Sequence, residues 1–203
     1  VQRYDVHTAL VIVDLQNDFA DPSGALAVHG GVNLVPIINA EITNARSAEA
    51  TVVFTQDWHP PATPHFAKDG GPWPVHCVAG TWGAELHPDL DADAVADAPR
   101  VRKGANGEDG YSGFTMRDPR SGETTSTELE GLLRDAGIER VIVCGLATDY
   151  CVKATAIDAA RLGFETAVLL DAMRPVEIEA GDEQRAIEEM TAAGVHSWST
   201  RMR

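Results

Sequence analysis

Three short apolar runs constrain the fold of this chain more than any other feature. Thr8–Asp14 (TALVIVD), Thr51–Thr55 (TVVFT) and Arg140–Cys144 (RVIVC) are nearly continuous in apolar residues and do not alternate. A strand with one wet face alternates polar and apolar positions, so an unbroken run reads as a strand covered on both faces. Helical stretches separate the runs. One spans about 32–48, with Leu34, Ile37, Ile38 and Ile42 on one face. Another opens at Thr127-x-x-Glu130, which fits a capping box, and stops at Gly137. Further helices are expected over Asp149–Leu162 and from an Asp182 cap to Ala193. Ala98–Lys103, Glu165–Leu170 and Val195–Ser199 complete the expected strands. Strands and helices alternating at this spacing predict an α/β fold, a three-layer α/β/α domain with a mostly parallel sheet. No repeat or linker interrupts the 203 residues, so the expectation is one domain over 1–203.

Charge narrows the function. With 31 acidic and 16 basic residues, the formal net charge is −15. That argues against a nucleic-acid or anionic-membrane partner, both of which want clustered Lys and Arg. It leaves a small-molecule substrate, with monomer and homo-oligomer both open. The odd count of three cysteines argues against a disulfide framework. No apolar run approaches the ~18 residues of a membrane span, and no signal peptide precedes the first strand. The expected location is cytoplasmic.

In open parallel sheets, sites form beyond the carboxyl ends of the strands. Asp14 ends the first strand, Asp57 and His59 follow the second, Lys103 ends the third, and Cys151 follows the fourth at a helix start. An acid, a lysine and a cysteine are therefore expected to converge. Unpaired N–H groups and the dipole at a helix start favour a thiolate. Asp14 is the candidate base for the Cys151 proton, with Lys103 holding Asp14 ionised. First-turn N–H groups could hold an oxyanion.

A second cluster lies in the Pro- and Gly-rich loop Asp57–Pro88, too long to be a plain connection. Asp57 and His59 share a face if the segment is extended; His65 and His76 lie on the same loop system. Carboxylate and imidazole ligands suit Zn²⁺, with Fe²⁺ or Mn²⁺ as alternatives. Cys77 is an alternative thiolate ligand, but by default it and Cys144 are structural. Phe19, Trp58, Phe66, Trp73 and Tyr111 fall in loops around this region and could offer flat faces to an aromatic ligand.

VIVDLQNDF (Val11–Phe19), TQDWHP (Thr55–Pro60), Lys103 and GLATDYCVKATA (Gly145–Ala156) together resemble the nicotinamidases, within the isochorismatase-like cysteine hydrolases. The resemblance runs from about Thr8 to the last strand. His65 and the segment WPVHCVAGTWGAELHP look like the mycobacterial pyrazinamidase type. The resemblance implies a catalytic triad of Asp14, Lys103 and Cys151. It implies one divalent metal on Asp57, His59 and His76, with His65 as a further ligand. It implies a cis peptide at Leu146–Ala147, an oxyanion hole from the N–H groups of Ala147 and Cys151, and a substrate pocket including Phe19, Trp73, Tyr111 and Leu146. The implied reaction is hydrolysis of nicotinamide, and of pyrazinamide, through a thioester. Two rivals remain at this stage: a related hydrolase acting on a different small amide, and a non-catalytic metal or thiol sensor on the same scaffold.

Overall fold

The computed structural model describes residues 3–201. Six strands form one sheet: β1 (Thr8–Val13), β2 (Thr51–Asp57), β3 (Arg100–Lys103), β6 (Arg140–Leu146), β7 (Glu165–Arg174) and β8 (His196–Trp198). Between them in sequence, β4 (Thr115–Arg117) and β5 (Thr124–Ser126) make a separate antiparallel pair. Every pairing in the main sheet is parallel, in the order β3-β2-β1-β6-β7-β8.

The apolar runs are continuous because both faces of the sheet are covered. Leu10, Ile12, Phe54, Ile142 and Cys144 point to one side and pack against Leu34, Ile38 and Ile42 of α2 (Leu34–Ser47). The intervening positions, Ala9, Val11, Val13, Val53 and Val143, point to the other. There they meet Leu129 and Leu133 of α4 (Leu129–Asp135), Ala156 and Ala159 of α5 (Lys153–Arg161), and Met190 of α6 (Asp182–Ala192). Each buried Val, Leu, Ile, Phe or Met among these contributes about 1.5–3 kcal/mol. The expected three-layer arrangement is therefore present, with α1 (Asn17–Ala20) and α3 (Ala92–Asp97) as short additions.

The chain steps from β1 through β2 to β3 on one side of the sheet, and from β6 through β7 to β8 on the other. The order reverses between β1 and β6, which opens a crevice beyond their carboxyl ends.

Some local expectations change. Thr127 Oγ1 accepts the Leu129 N–H at 3.2 Å, but the Thr127 N–H goes to Phe114 O at 2.8 Å. Glu130 therefore has no donor to cap and lies 3.5 Å from Arg134 instead. Gly181 occupies the cap position of α6; Asp182 is its first residue and accepts the Glu179 N–H. The predicted helix from Asp149 is split. A π-helical turn, Thr148–Val152, precedes α5. Strand β7 runs on to Arg174, beyond the expected Leu170.

Candidate active site

The β2–β3 register sets Asp57 beside Lys103. The Lys103 ammonium, 1% exposed, lies 2.7 Å from Asp14 Oδ2 and 2.9 Å from Asp57 Oδ1. It donates to Tyr111 O at 3.3 Å and lies 3.6 Å from Cys151 Sγ. Thr55 Oγ1 donates to the second Asp14 oxygen at 2.6 Å. Asp14 has φ +47°, disfavoured for a side chain of its type. Its N–H is anchored on Thr55 O at 3.2 Å. The acid, lysine and cysteine thus converge, and Asp57 joins them as a second carboxylate on the lysine.

Charge in this buried group settles unevenly. Burial pushes the Lys103 ammonium down, but Asp14, Asp57 and Cys151 outweigh it and hold the group well above its ordinary value. Burial pushes Asp57 up, but Lys103, His59 and His76 hold it well below the carboxylate range. Burial raises Asp14, with Lys103 opposing and Asp57 reinforcing. The Cys151 thiol goes well above its ordinary range, through burial first, against Lys103 and with Asp14 and Asp57. This runs against the expected gain in thiolate: at 7% exposure beside two carboxylates, burial dominates. A raised value favours the neutral thiol, whose sulfur lies within 4.8 Å of carboxylate oxygens of Asp14 and Asp57.

The imidazoles form the second group. Ligand nitrogens of His59, His65 and His76 all lie within 4.8 Å of one another, and all three residues are buried. Asp57 Oδ2 is 3.7 Å from His59 Nε2 and 3.8 Å from His76 Nε2, too long for hydrogen bonds. The His76 ring is oriented by Nδ1 on Pro74 O at 2.7 Å. Both ring nitrogens of His59 are buried without a hydrogen-bond partner. Gly104 admits that ring: a Cβ there would sit 2.6 Å from Nδ1. Burial, then the neighbouring His59, lowers His65 to about 4, and burial lowers His76. Neutral imidazole is the ligating form. Orphaned nitrogens beside an anionic carboxylate fit a divalent ion of the zinc type. Cys77 stands apart from this group: its Sγ faces Gly83 O at 3.9 Å, and burial raises its thiol.

Both groups open into one pocket. Asp57, His65, His76 and Cys151 supply its polar wall. Phe19, Trp73, Tyr111, Leu146 and Ala147 line it as the sequence suggested, joined by Leu26, Val28, Tyr150 and Val176, which it did not. The Trp73 indole N–H donates to Tyr111 O–H at 3.1 Å, and the Tyr150 ring meets both edge-on, with centroids 5.0 and 5.2 Å away. Trp58 and Phe66 do not line the cavity. Trp58 lies under the Arg102 guanidinium, 3.8 Å from the ring centroid. Phe66 packs against the His59 and His76 rings. The Leu146–Ala147 peptide is cis. Asp149 ties the turn before Cys151 to the far wall, accepting the Val176 and Glu177 N–H groups at 2.9 and 2.8 Å. Tyr150 carried a signal in its position next to Cys151. Leu26, Val28 and Val176 carried none, being ordinary apolar residues in irregular segments.

Among the described residues, no helix is long and apolar enough to cross a membrane. The chain is 42% identical over 190 residues to the nicotinamidase/pyrazinamidase of Mycobacterium tuberculosis, covering 92% of this chain and 96% of that one. The zinc complex of Pyrococcus horikoshii pyrazinamidase superposes with a TM-score of 0.83 at 40% identity, over 95% of this chain and 99% of that one. PnC1 of L. infantum bound to nicotinate gives 0.85 at 38% identity, over 96% and 93%. The isochorismatase domain family matches residues 8–201, nearly the whole sheet-and-helix framework that carries these two clusters, and the chain belongs to that family.

Proposed function

We propose that this protein hydrolyses nicotinamide to nicotinate and ammonia, and accepts pyrazinamide. The observation that carries the reading is that Cys151 and the imidazole cluster face the same small aromatic-walled cavity. A nucleophile at one side and a site for a ring nitrogen at the other suit a pyridine carboxamide. We read residues 1–203 as one hydrolase domain, as a monomer or homo-oligomer. Three free cysteines support a cytoplasmic location.

In this scheme Asp14 accepts the thiol proton of Cys151 as sulfur attacks the carboxamide carbon. Asp14 is suited to this because burial has raised its basicity while Lys103 still supports its anion. The oxyanion is received by the backbone N–H groups of Ala147 and Cys151. Asp14 then returns the proton to the departing ammonia, leaving a thioester on Cys151. The same carboxylate takes a proton from water as it adds to the thioester, and nicotinate leaves as the thiol re-forms. Lys103, paired with both Asp14 and Asp57, keeps two carboxylates tolerable in a space that could not otherwise hold them. Phe19, Trp73, Tyr111 and Leu146 bound the ring. Asp57, His59, His76 and His65 would hold one divalent ion, proposed to be Zn²⁺. Such an ion would supply Lewis-acid chemistry toward the ring nitrogen of the substrate.

The test is ammonia release from nicotinamide by the purified protein, with and without chelator, beside Cys151→Ala. Release that requires both the metal and Cys151 supports the scheme. Full activity in Cys151→Ala would refute the scheme. No release from protein that holds zinc and has an alkylatable Cys151 would turn the reading to another small amide.

A further inference from the structure

We infer that Asp18 is a positioning residue for His76: its buried carboxylate fixes the backbone that carries this ligand, and so sets the affinity of the site for a divalent ion. The inference rests on the reading of His76 as a ligand. Asp18 is 8% exposed and has no part in the hydrolytic scheme. Its Oδ2 accepts the Cys77 N–H at 2.7 Å, and its Oδ1 accepts the Ala25 N–H at 3.0 Å. Cys77 directly follows His76 and has φ +46°, a conformation that a non-glycine residue keeps only where its surroundings impose it. A hydrogen bond from its N–H to a carboxylate is such an imposition.

Gly83 provides a second, independent observation. Its backbone lies flat on the same carboxylate, and a Cβ there would overlap both carboxylate oxygens. The loop is shaped around this side chain. Phe19, the next residue in α1, brings its ring centroid 5.4 Å from that of His76. The Ala25 bond fixes the segment that leads to Leu26 in the cavity wall. His76 is thus held through Pro74 O on its ring and through Asp18 on the peptide that follows it. Carboxylates that hydrogen-bond the ring of a metal-bound histidine usually change affinity by about 10–100-fold when removed, and one that holds the adjoining peptide is expected at the low end of that range.

The experiment measures zinc dissociation constants by chelator competition on the full chain, for Asp18→Ala, Asp18→Asn, His76→Ala and Met190→Ala. Met190 is buried against the opposite face of the sheet and controls for lost stability, read as the melting temperature of the metal-free protein. The expected result is zinc binding weaker by about tenfold or more in Asp18→Ala. Asp18→Asn, which retains one acceptor oxygen, falls between it and the parent. Met190→Ala keeps parental affinity despite a lowered melting temperature. Parental zinc affinity in both Asp18 variants, with His76→Ala weakened, overturns the inference and leaves the ligand reading intact. Parental affinity in His76→Ala overturns the ligand reading and the inference with it. Should Asp18→Ala fail to fold, Asp18→Asn against Met190→Ala decides the matter on the same criterion.

Discussion

The Asp14–Lys103–Cys151 group and the imidazole group share one carboxylate, Asp57, and differ in how their polar atoms are satisfied. In the first, protein atoms partner one another: Lys103 has two carboxylates and a carbonyl, and Asp14 has Lys103 and Thr55. In the second, both His59 nitrogens lack a partner and the nearest carboxylate oxygen is 3.7 Å away. A buried orphan nitrogen is unfavourable unless something absent from the polypeptide meets it. The chain therefore satisfies the Asp14–Lys103–Cys151 group from its own atoms, whereas the imidazole group keeps ring nitrogens that suit a metal ion. Asp57 couples them by giving Oδ1 to Lys103 and presenting Oδ2 to the imidazoles.

The strongest way to break this division is to disable each group and read the other. Cys151→Ala is expected to lower kcat at least about 10⁴-fold, and Asp14→Asn about 10²–10⁴-fold, both with unchanged zinc affinity by chelator competition. A large loss of zinc in either variant would mean that the groups are not separable. His59→Ala is the converse. It should weaken zinc binding by about 100-fold or more, as loss of an inner ligand exceeds loss of its supports. Cys151 should still be alkylated by iodoacetamide at the parental rate.

A gentler change sharpens the comparison inside the first group. Thr55→Val removes the hydroxyl that bonds the Asp14 anion. Asp14 then becomes harder to ionise, so the acid limb of kcat/KM moves to higher pH, with a fall of about tenfold in kcat/KM near neutrality, equivalent to about 1.4 kcal/mol. An acid limb that stays in place would remove Asp14 from the role of base.

The smallest effect is on stability, and the two groups have opposite signs. His65 falls from 6.5 to about 4 on folding. Between those values the unfolded chain binds more protons, so stability rises with pH across that window and is lost as pH falls. For Asp14, raised above 3.8, the folded state holds the extra proton, so its own contribution falls as pH rises through its window. In thermal melts of metal-free protein from pH 4 to 7, the His65 contribution should appear as a rise in stability with pH. His65→Asn should flatten it. An unchanged slope in that variant would show that His65 is already able to protonate in the folded chain.

The framework was readable where physics leaves a repeating mark. Strands covered on both faces must be apolar throughout, and β1, β2 and β6 are. The β4–β5 pair left no such mark: β5 is fully exposed, so nothing selects alternating residues there. The Thr127–Glu130 box failed because Phe114, a long-range partner, takes the N–H that Glu130 would have capped. Asp14, Asp57, Lys103 and Cys151 were visible as reactive side chains at strand ends. Thr55 was not, because a threonine inside a strand looks like any other. Neither were Leu26, Val28 and Val176, whose residue types are common and whose segments have no period.

By itself, then, the sequence determined which side chains stand at the carboxyl ends of which strands, because hydrophobic periodicity and chain punctuation are local properties. The tertiary structure alone decided that Lys103 holds two carboxylates, that burial raises the Cys151 thiol rather than lowering it, and that His59 is left without a hydrogen-bond partner. Each of these depends on strand register and on exclusion of water, and both are set by residues far apart in the chain.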